Sequence, residues 1–169
     1  NLDWVFWRQR GDTLSLSSGI TKKKTRNFLE GSRLVTSSRD VTLADINLSH
    51  RRSFWGGSLS ASVGVDKGVR FWGADEDAAN LATTAQHNQF IKYKTSASFY
   101  KPFTVWENLP MSYTATAQGQ FARDYLPATE QVSIGGQYAV RGFDGVTISG
   151  DRGGCLLYTS DAADETCRV

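Results

Sequence analysis

Cysteine and proline are scarce in this chain of 169 residues, which contains only two cysteines and three prolines. Both cysteines lie in the segment 155–169, so nothing before it supports a disulfide framework or a cysteine metal site. The net charge is only +2, and no field of one sign therefore indicates a nucleic-acid partner or an acidic substrate. No apolar run is long enough to cross a membrane as a helix.

Glycine, serine, threonine and aromatic residues are plentiful instead, a composition that favours strands and turns. Apolar and polar residues alternate with a period of two, which is typical of strands with one apolar face. In the run LPMSYTATAQGQF, for example, the apolar positions begin at Leu109 and Met111. The same alternation occurs in the runs 2–6, 13–20, 44–51, 58–65 and 91–99. The pattern predicts about six strands.

The length of these runs favours a membrane barrel over a soluble sandwich. Strands of globular proteins usually have about 5–6 residues, whereas a tilted strand that crosses a membrane needs about 9–11. Faces rich in alanine would fill a protein core poorly, but lipid tolerates them. Aromatic residues gather at the strand ends, as is typical of the belts at the two membrane surfaces. They are Trp7, Phe54, Trp55, Phe103 and Trp106 near the short turns, and Phe71 and Trp72 at the opposite rim. A soluble protein with aromatic residues packed on its turns remains the alternative.

The connections alternate in length. Short links are predicted at 10–12, 52–57 and 101–108, and long loops at 28–39, 73–87 and 124–154. In outer-membrane barrels the short turns face the periplasm and the long loops face outside. We therefore predict an all-β fold, part of an antiparallel transmembrane β-barrel in the outer membrane of a Gram-negative bacterium. Residues 1–154 form one partial barrel domain that includes the loop 124–154.

The polar faces of the predicted strands carry groups that would be costly in lipid. We predict that a wet lumen is lined by Asp45, Lys92, Lys94, Gln118 and Gln120. Further charged residues on or near these faces are Arg51, Asp66 and Arg123. For each of them, the solvated face of a soluble sheet is the alternative interpretation.

Groups suited to catalysis are few. The only imidazoles are His50 and His87, and neither lies near a nucleophile motif such as G-x-S-x-G. The lysine run 22–24 lacks aromatic stacking partners and is interpreted as a solvated strand end or a lipopolysaccharide contact. The acidic stretch 73–80 lacks the spaced ligands of an EF-hand loop. We predict no enzymatic activity, no catalytic residue, no metal, no cofactor, and no nucleotide or nucleic-acid partner.

The longest loop contains the glycine-rich sequence GGQYAVRGFDGVTISGD, residues 135–151. It is too apolar for a free linker, and loops of this size are usually functional or disordered. Its loop glycines are Gly135, Gly136 and Gly145, and the first two allow positive φ or close backbone approach. Gly142 would let the chain turn sharply beneath Arg141. Held by a tight turn, Arg141 is suited to a bidentate bond with a carboxylate in a low-dielectric interior. The loop would then act as a latch.

The sequence GGQYAVRGFDG resembles the VRGF motif of outer-membrane transporters that insert or export proteins. SIGGQYAVRGF is most similar to the two-partner secretion branch of that superfamily, the ShlB/FhaC/HecB type, also called TpsB. The upstream sequence KKKTRNFLEGS, residues 22–32, is similar to the same branch. The resemblance extends over residues 1–154.

This resemblance implies a 16-stranded barrel that exports an unfolded partner protein, TpsA, of the haemolysin or adhesin type, without nucleotide hydrolysis. Two POTRA domains that recognise the partner are expected upstream of Asn1. The latch motif, Val140, Arg141, Gly142 and Phe143, would form the tip of the sixth external loop, folded into the lumen. Arg141 would pair with an acidic residue on a later strand that this chain lacks. The alternatives are an outer-membrane protein assembly insertase of the same superfamily and a passive porin.

The last segment, CLLYTSDAADETCRV, loses the upstream alternation. It resembles the translation of a synthetic sequencing adapter. We predict that residues 155–169 are a non-native tail and leave them out of the strand count.

Overall fold

The computed structural model of the chain describes residues 1–29, 31–82, 85–105, 109–135 and 147–161. Strands make up most of this part of the chain, and one short 3-10 turn, η1, lies at Ala128–Glu130. The strands are Leu2–Gln9 (β1), Asp12–Leu29 (β2), Ser32–Phe54 (β3), Gly57–Val69 (β4), Ile91–Val105 (β5), Leu109–Ala122 (β6), Val132–Gly135 (β7), Thr147–Gly150 (β8) and Gly153–Asp161 (β9). Within the described ranges, no helix is long and apolar enough to cross a membrane.

Seven strands form one antiparallel sheet in the order β1-β2-β3-β4-β5-β6-β9. Neighbours in the sequence are neighbours in this sheet, except that the small hairpin of β7 and β8 is inserted between β6 and β9. Strands β2 to β6 have 13–23 residues. They exceed the about 9–11 residues that a tilted strand needs to cross a bilayer. The strand lengths and pairing agree with the predicted barrel.

The turn between β3 and β4 consists of two residues, Trp55 and Gly56. Their φ angles are +52° and +74°, the combination of a hairpin turn that matches the twist of its strands. A large side chain seldom adopts positive φ. Here Lys101 Nζ of the neighbouring strand β5 lies 4.1 Å from the centre of the Trp55 ring, a cation–π contact. The contact fixes the tryptophan at the end of the sheet with the short turns.

The predicted long loop over 28–39 is wrong. β2 continues to Leu29 and β3 begins at Ser32, and the two strands pair up to these two residues. β4 ends opposite Thr42, and the hairpin therefore projects beyond its neighbour. Backbone pairing needs no apolar face, and a hairpin in water lacks the alternation by which strands are recognised. In the predicted loop 73–87, by contrast, the described residues form no strand of the sheet.

The projecting hairpin carries an ion pair between Arg26 and Asp40, outside the membrane-spanning segments. The hydrogen bond from Arg26 holds the pKa of the Asp40 carboxyl below its ordinary value, and the charges of Lys24 and Lys22 act in the same direction. A carboxyl whose pKa is lower in the folded chain than in the unfolded chain stabilises the fold at pH values above its ordinary pKa. This contribution is lost as the pH falls through the lowered pKa of the folded chain.

We therefore expect the amides of the hairpin to lose hydrogen-exchange protection in acid, after correction for intrinsic exchange. Arg26→Ala should have less protection at neutral pH and a smaller acid step, because only the charges of Lys24 and Lys22 then still lower the pKa of Asp40. An acid step of the same size in the variant would show that another group causes it.

The sheet has one apolar and one polar face. We call them the outer and the inner face. Ala61, Ala97 and Ala117 lie in one outer row across β4, β5 and β6. Large apolar side chains on this face are open to the surroundings, and Val63 is 59% exposed. An exposed apolar face is unfavourable in water but is stabilised by lipid.

Aromatic side chains lie at both ends of the outer face. Trp7, Phe54 and Trp55 are exposed at the end with the short turns, and Phe71 and Trp72 are exposed at the opposite end. This distribution fits the predicted belts at the two membrane surfaces. Trp106, which belongs to the same prediction, lies outside the described residues.

β9 adds a seventh strand to the about six predicted. It pairs with β6 and lies largely in the segment predicted to be a non-native tail. Leu156 and Tyr158 continue the outer face beside Ala117 and Ala115, and they are 61% and 44% exposed. The backbone of β6 provides a free edge that this short run can pair with, although its sequence lacks the upstream alternation. That residues 155–169 are a non-native tail stays a prediction.

Candidate functional site on the inner face

The residues predicted to line a lumen share the inner face of the sheet. Asp45, Asp66 and Lys92 lie in one row across β3, β4 and β5. Lys94 pairs with Gln120 in the next row. Gln118 lies opposite Ser96 in the row after that. The strand register therefore brings the predicted lumenal groups together on one wall.

The chain after β6 folds back over this wall. Leu126 and Phe90 are fully buried there, against Val41 and Leu43 of β3. The backbone amide of His87 also donates to the carbonyl of Tyr125 at 2.9 Å. The apolar side chains form the small core of the described chain, and this core lies at the end of the inner face with the long loops.

Glu130 of η1 is the centre of a charged cluster on the inner face. Its Oε1 lies 2.5 Å from Lys23 Nζ, and its Oε2 lies 2.7 Å from Lys92 Nζ. Its backbone carbonyl accepts hydrogen bonds from Gln120 Nε2 at 3.0 Å and from Lys92 Nζ at 3.4 Å. We name this group the Glu130 cluster; its members are Lys23, Asp66, Lys92, Lys94, Gln120 and Glu130.

Asp66 belongs to the barrel wall rather than to the loop. Its Oδ1 lies 2.7 Å from Lys94 Nζ, and its Oδ2 lies 3.5 Å from Lys92 Nζ. Glu130, Asp66 and Lys92 are only 3%, 5% and 6% exposed. Charges that are this buried have to be paired, because desolvation of an isolated ion costs several kcal/mol or more. Lys23 and Lys94 are about half-exposed and bring water to the edges of the cluster.

Asp151 ties the two limbs of the loop together. Its Oδ1 accepts hydrogen bonds from the backbone amide of Leu126 at 2.9 Å and from Gln131 Nε2 at 3.1 Å. Arg152 Nε donates to the carbonyl of Ala122 at 2.8 Å. The start and the end of the loop are therefore held side by side.

The hairpin of β7 and β8 continues over the inner face. Its register runs from Val132 opposite Gly150 to Gly135 opposite Thr147. Val132 lines a cleft of about 470 Å³ together with wall residues Asn47, Lys94, Gln118 and Gln120. The base of the hairpin thus lies against the polar wall and not outside the sheet.

The latch motif itself lies outside the described residues, which end at Gly135 and resume at Thr147. The predicted residues in this gap are Gly136, Val140, Arg141, Gly142, Phe143 and Gly145. Their predicted roles remain predictions. Gly135 is described as the last residue of β7.

Sequence reasoning missed Glu130 and gave Lys23 an incomplete role. Glu130 lies in a turn without periodicity, so no pattern in the sequence identifies it. Lys23 belongs to the run interpreted as a solvated strand end, but its ammonium contacts buried Glu130. Ser15 and Ser17 lie on the polar face of β2, and every second residue after them lies on the same face. Lys23 is one of these residues, so the alternation could have placed it on the inner face.

Known proteins share both the sequence and the fold. The profile of the haemolysin secretion/activation protein family ShlB/FhaC/HecB matches residues 1–159. The hemolysin transporter protein HpmB of Proteus mirabilis is 32% identical over 157 residues, covering 93% of this chain. ShlB of Serratia marcescens is 33% identical over 93% of the chain, and the outer membrane transporter CdiB of Escherichia coli is 33% identical over 92%. The chain spans only 26–28% of the length of these relatives.

Two solved structures have the same fold. CdiB from Escherichia coli has a TM-score of 0.85 and 31% identity, covering 94% of this chain and 28% of its own. CdiB from Acinetobacter baumannii has a TM-score of 0.75 at 21% identity, covering 96% of this chain and 28% of its own, and supports the fold alone. These likenesses confirm the predicted fold class and the predicted place in the Gram-negative outer membrane. The chain belongs to the ShlB/FhaC/HecB family of haemolysin secretion/activation proteins and forms part of its outer-membrane β-barrel.

Proposed function

We propose that this chain is a barrel segment of a transporter that secretes a partner protein of the haemolysin or adhesin type by two-partner secretion. The family description and the names of HpmB and ShlB as hemolysin transporters support the proposal. The observation that carries it is the position of η1 and the β7–β8 hairpin against the polar wall of the sheet. A loop in this position would close a pore at rest.

The way the loop is held suits a pore that has to open. Glu130 binds the wall through ion pairs, and its carboxylate can be hydrated when the loop leaves. A large apolar plug would instead expose its surface to water, at a cost of about 25 cal/mol for each Å². Export without nucleotide hydrolysis requires a low free-energy cost of displacing the loop, because no hydrolysis step supplies free energy for that displacement.

In this proposal the latch motif, Val140, Arg141, Gly142 and Phe143, forms the loop tip. Arg141 pairs there with a carboxylate on a barrel strand outside this chain. POTRA domains upstream of this segment bind the unfolded partner, and outer-membrane lipid covers the outer face. Transport along a polar lumen needs no enzymatic step, no metal and no cofactor.

Arg141→Ala in the complete protein tests the proposal. We expect normal insertion into the outer membrane and a loss of partner secretion of about tenfold or more, because a charge-assisted hydrogen bond contributes about 1.5–3 kcal/mol. Insertion is measured by heat-modifiable migration on gels, and secretion by the amount of partner in the medium. Arg70→Ala, at the exposed position directly after β4, is the matched control.

Unchanged secretion by an inserted Arg141→Ala protein would contradict the assigned role of the latch. Steady ion conductance by the wild type without secretion of any partner would support a passive porin instead. Defective folding of other outer-membrane proteins after deletion of the gene would support an assembly insertase.

A further inference from the structure

We propose that Lys92 is a shared cation, bound by Glu130 of the loop when the pore is closed and by Asp66 of the barrel wall when the loop has left. The inference rests on the proposed function, because it requires a displaced state of the loop. It assigns opposite effects on pore opening to two carboxylates that contact the same ammonium group.

The loop-side contact is short and buried. Lys92 Nζ lies 2.7 Å from Glu130 Oε2 and also donates to the carbonyl of Glu130 at 3.4 Å. Both side chains are more than nine-tenths buried. A charge-assisted contact of this length and burial stabilises the closed arrangement more than a surface ion pair would.

The wall-side contact is longer but does not depend on the loop. Asp66 and Lys92 are directly opposite each other in the register of β4 and β5. Asp66 Oδ2 lies 3.5 Å from Lys92 Nζ, which is beyond the range of a good hydrogen bond. A rotation of the lysine side chain closes this distance, because cross-strand neighbours stay adjacent whatever the loop does.

When Glu130 leaves the wall, Lys23 and Lys92 lose the same carboxylate but differ in how far water can replace it. Lys23 is half-exposed, so water replaces the carboxylate there. Lys92 starts from a site with little access to water and lies beside Phe90, with Nζ 6.0 Å from the ring centre. Without Asp66 the ammonium group would lose the carboxylate directly opposite it on the wall, which would raise the free energy of the open state by about the value of one charge-assisted hydrogen bond.

The two carboxylates therefore act on the gate in opposite directions. Glu130 contributes most to the closed state, since its contact with Lys92 exists only when the loop is in place. Asp66 contributes most to the open state, where it is the remaining partner of Lys92 on the wall. A purely structural role of the cluster would not produce this difference in sign.

Single-channel recordings of the complete protein in planar bilayers test the inference. We expect Glu130→Gln to raise the fraction of time in the open state about tenfold and Asp66→Asn to lower it about three- to tenfold, given the usual strength of hydrogen bonds to charged groups. Both substitutions keep the side-chain shape. Asp3→Asn removes the same charge from the inner face in β1, opposite Ser17, and should leave the open fraction unchanged.

Charge-retaining variants keep the inference testable if a neutral variant does not fold. Glu130→Asp shortens the loop carboxylate, and Asp66→Glu extends the wall carboxylate toward Lys92. Each should raise the open fraction. Changes of the same sign in Glu130→Gln and Asp66→Asn, or no change in any folded variant, would overturn the inference.

Partner secretion by the same strains separates this inference from the proposed function. Opposite conductance changes, combined with no secretion even by the wild type, would support the shared cation and contradict the transporter. Normal wild-type secretion with equal conductance in all folded variants would support the transporter and contradict the shared cation.

Discussion

Lys92→Met is expected to lower the free energy of unfolding of the barrel by about 3 kcal/mol, the lower end of the cost of breaking a buried ion pair. The substitution removes the ammonium group between two carboxylates, Glu130 and Asp66, that are almost fully buried. Each carboxylate keeps one half-exposed lysine partner, Lys23 or Lys94, and for this reason the effect stays at the lower end.

The measurement is urea unfolding of the complete protein in detergent micelles, followed by tryptophan fluorescence. Lys94→Met is the matched control, because its ammonium group is about half-exposed and Asp66 keeps Lys92. The control should lose about 1 kcal/mol or less, as expected for exposed ion pairs. Equal losses of unfolding free energy in the two variants would show that burial does not make the ion pairs of Lys92 more important for stability.

Val63→Arg is expected to destabilise the barrel by about 2–4 kcal/mol, whereas Ser62→Arg at the preceding position is tolerated. Val63 lies in the middle of β4 on the outer face. Ser62 faces inward, where its Oγ lies 2.7 Å from Ser96 Oγ. An arginine would be desolvated by lipid at the first position and would remain in water at the second.

The pair of variants tests the orientation of the sheet directly. Both carry the same new charge on adjacent residues, so the net charge and the position along the strand are matched. Unfolding and the yield of heat-modifiable protein in outer membranes provide the readout. Equal stability of the two variants would falsify the assignment of the two faces to lipid and water.

Together these predictions separate two kinds of interaction in one sheet. The outer face needs a continuous apolar surface, and small residues such as Ala61, Ala97 and Ala117 satisfy it because lipid does not require interlocking side chains. The inner face needs a partner for every buried charge, and the loop supplies it through Glu130. The loop is therefore part of the folded wall as well as a candidate gate.

Much of the fold could be predicted from the two-residue period of the apolar positions and from the length of the alternating runs. The alternation in 91–99 and 109–121 placed Lys92, Lys94, Gln118 and Gln120 on one side of their strands, and the register places them there. The paired strands of the hairpin over 28–39 could not be predicted, because this run lacks the alternation by which strands are recognised. The prediction also left out β9, whose short run joins the sheet through the free edge of β6.

The candidate site was only half predictable, because it joins a wall to a loop. The sequence pattern locates Lys92 and Asp66 through their parity within strands. Nothing local marks Glu130, since its partners Lys23 and Lys92 are 107 and 38 positions away. Only the return of the chain over the inner face brings these charges within hydrogen-bond distance.

The sequence by itself determined that this protein has long strands with one apolar and one polar face, because a strand turns successive side chains to opposite sides. It also determined the family, through the motif around Arg141. The tertiary structure alone decided that Glu130 of the loop also meets Lys92. Pairing of buried charges depends on contacts between distant segments, and no periodicity along the chain encodes such contacts.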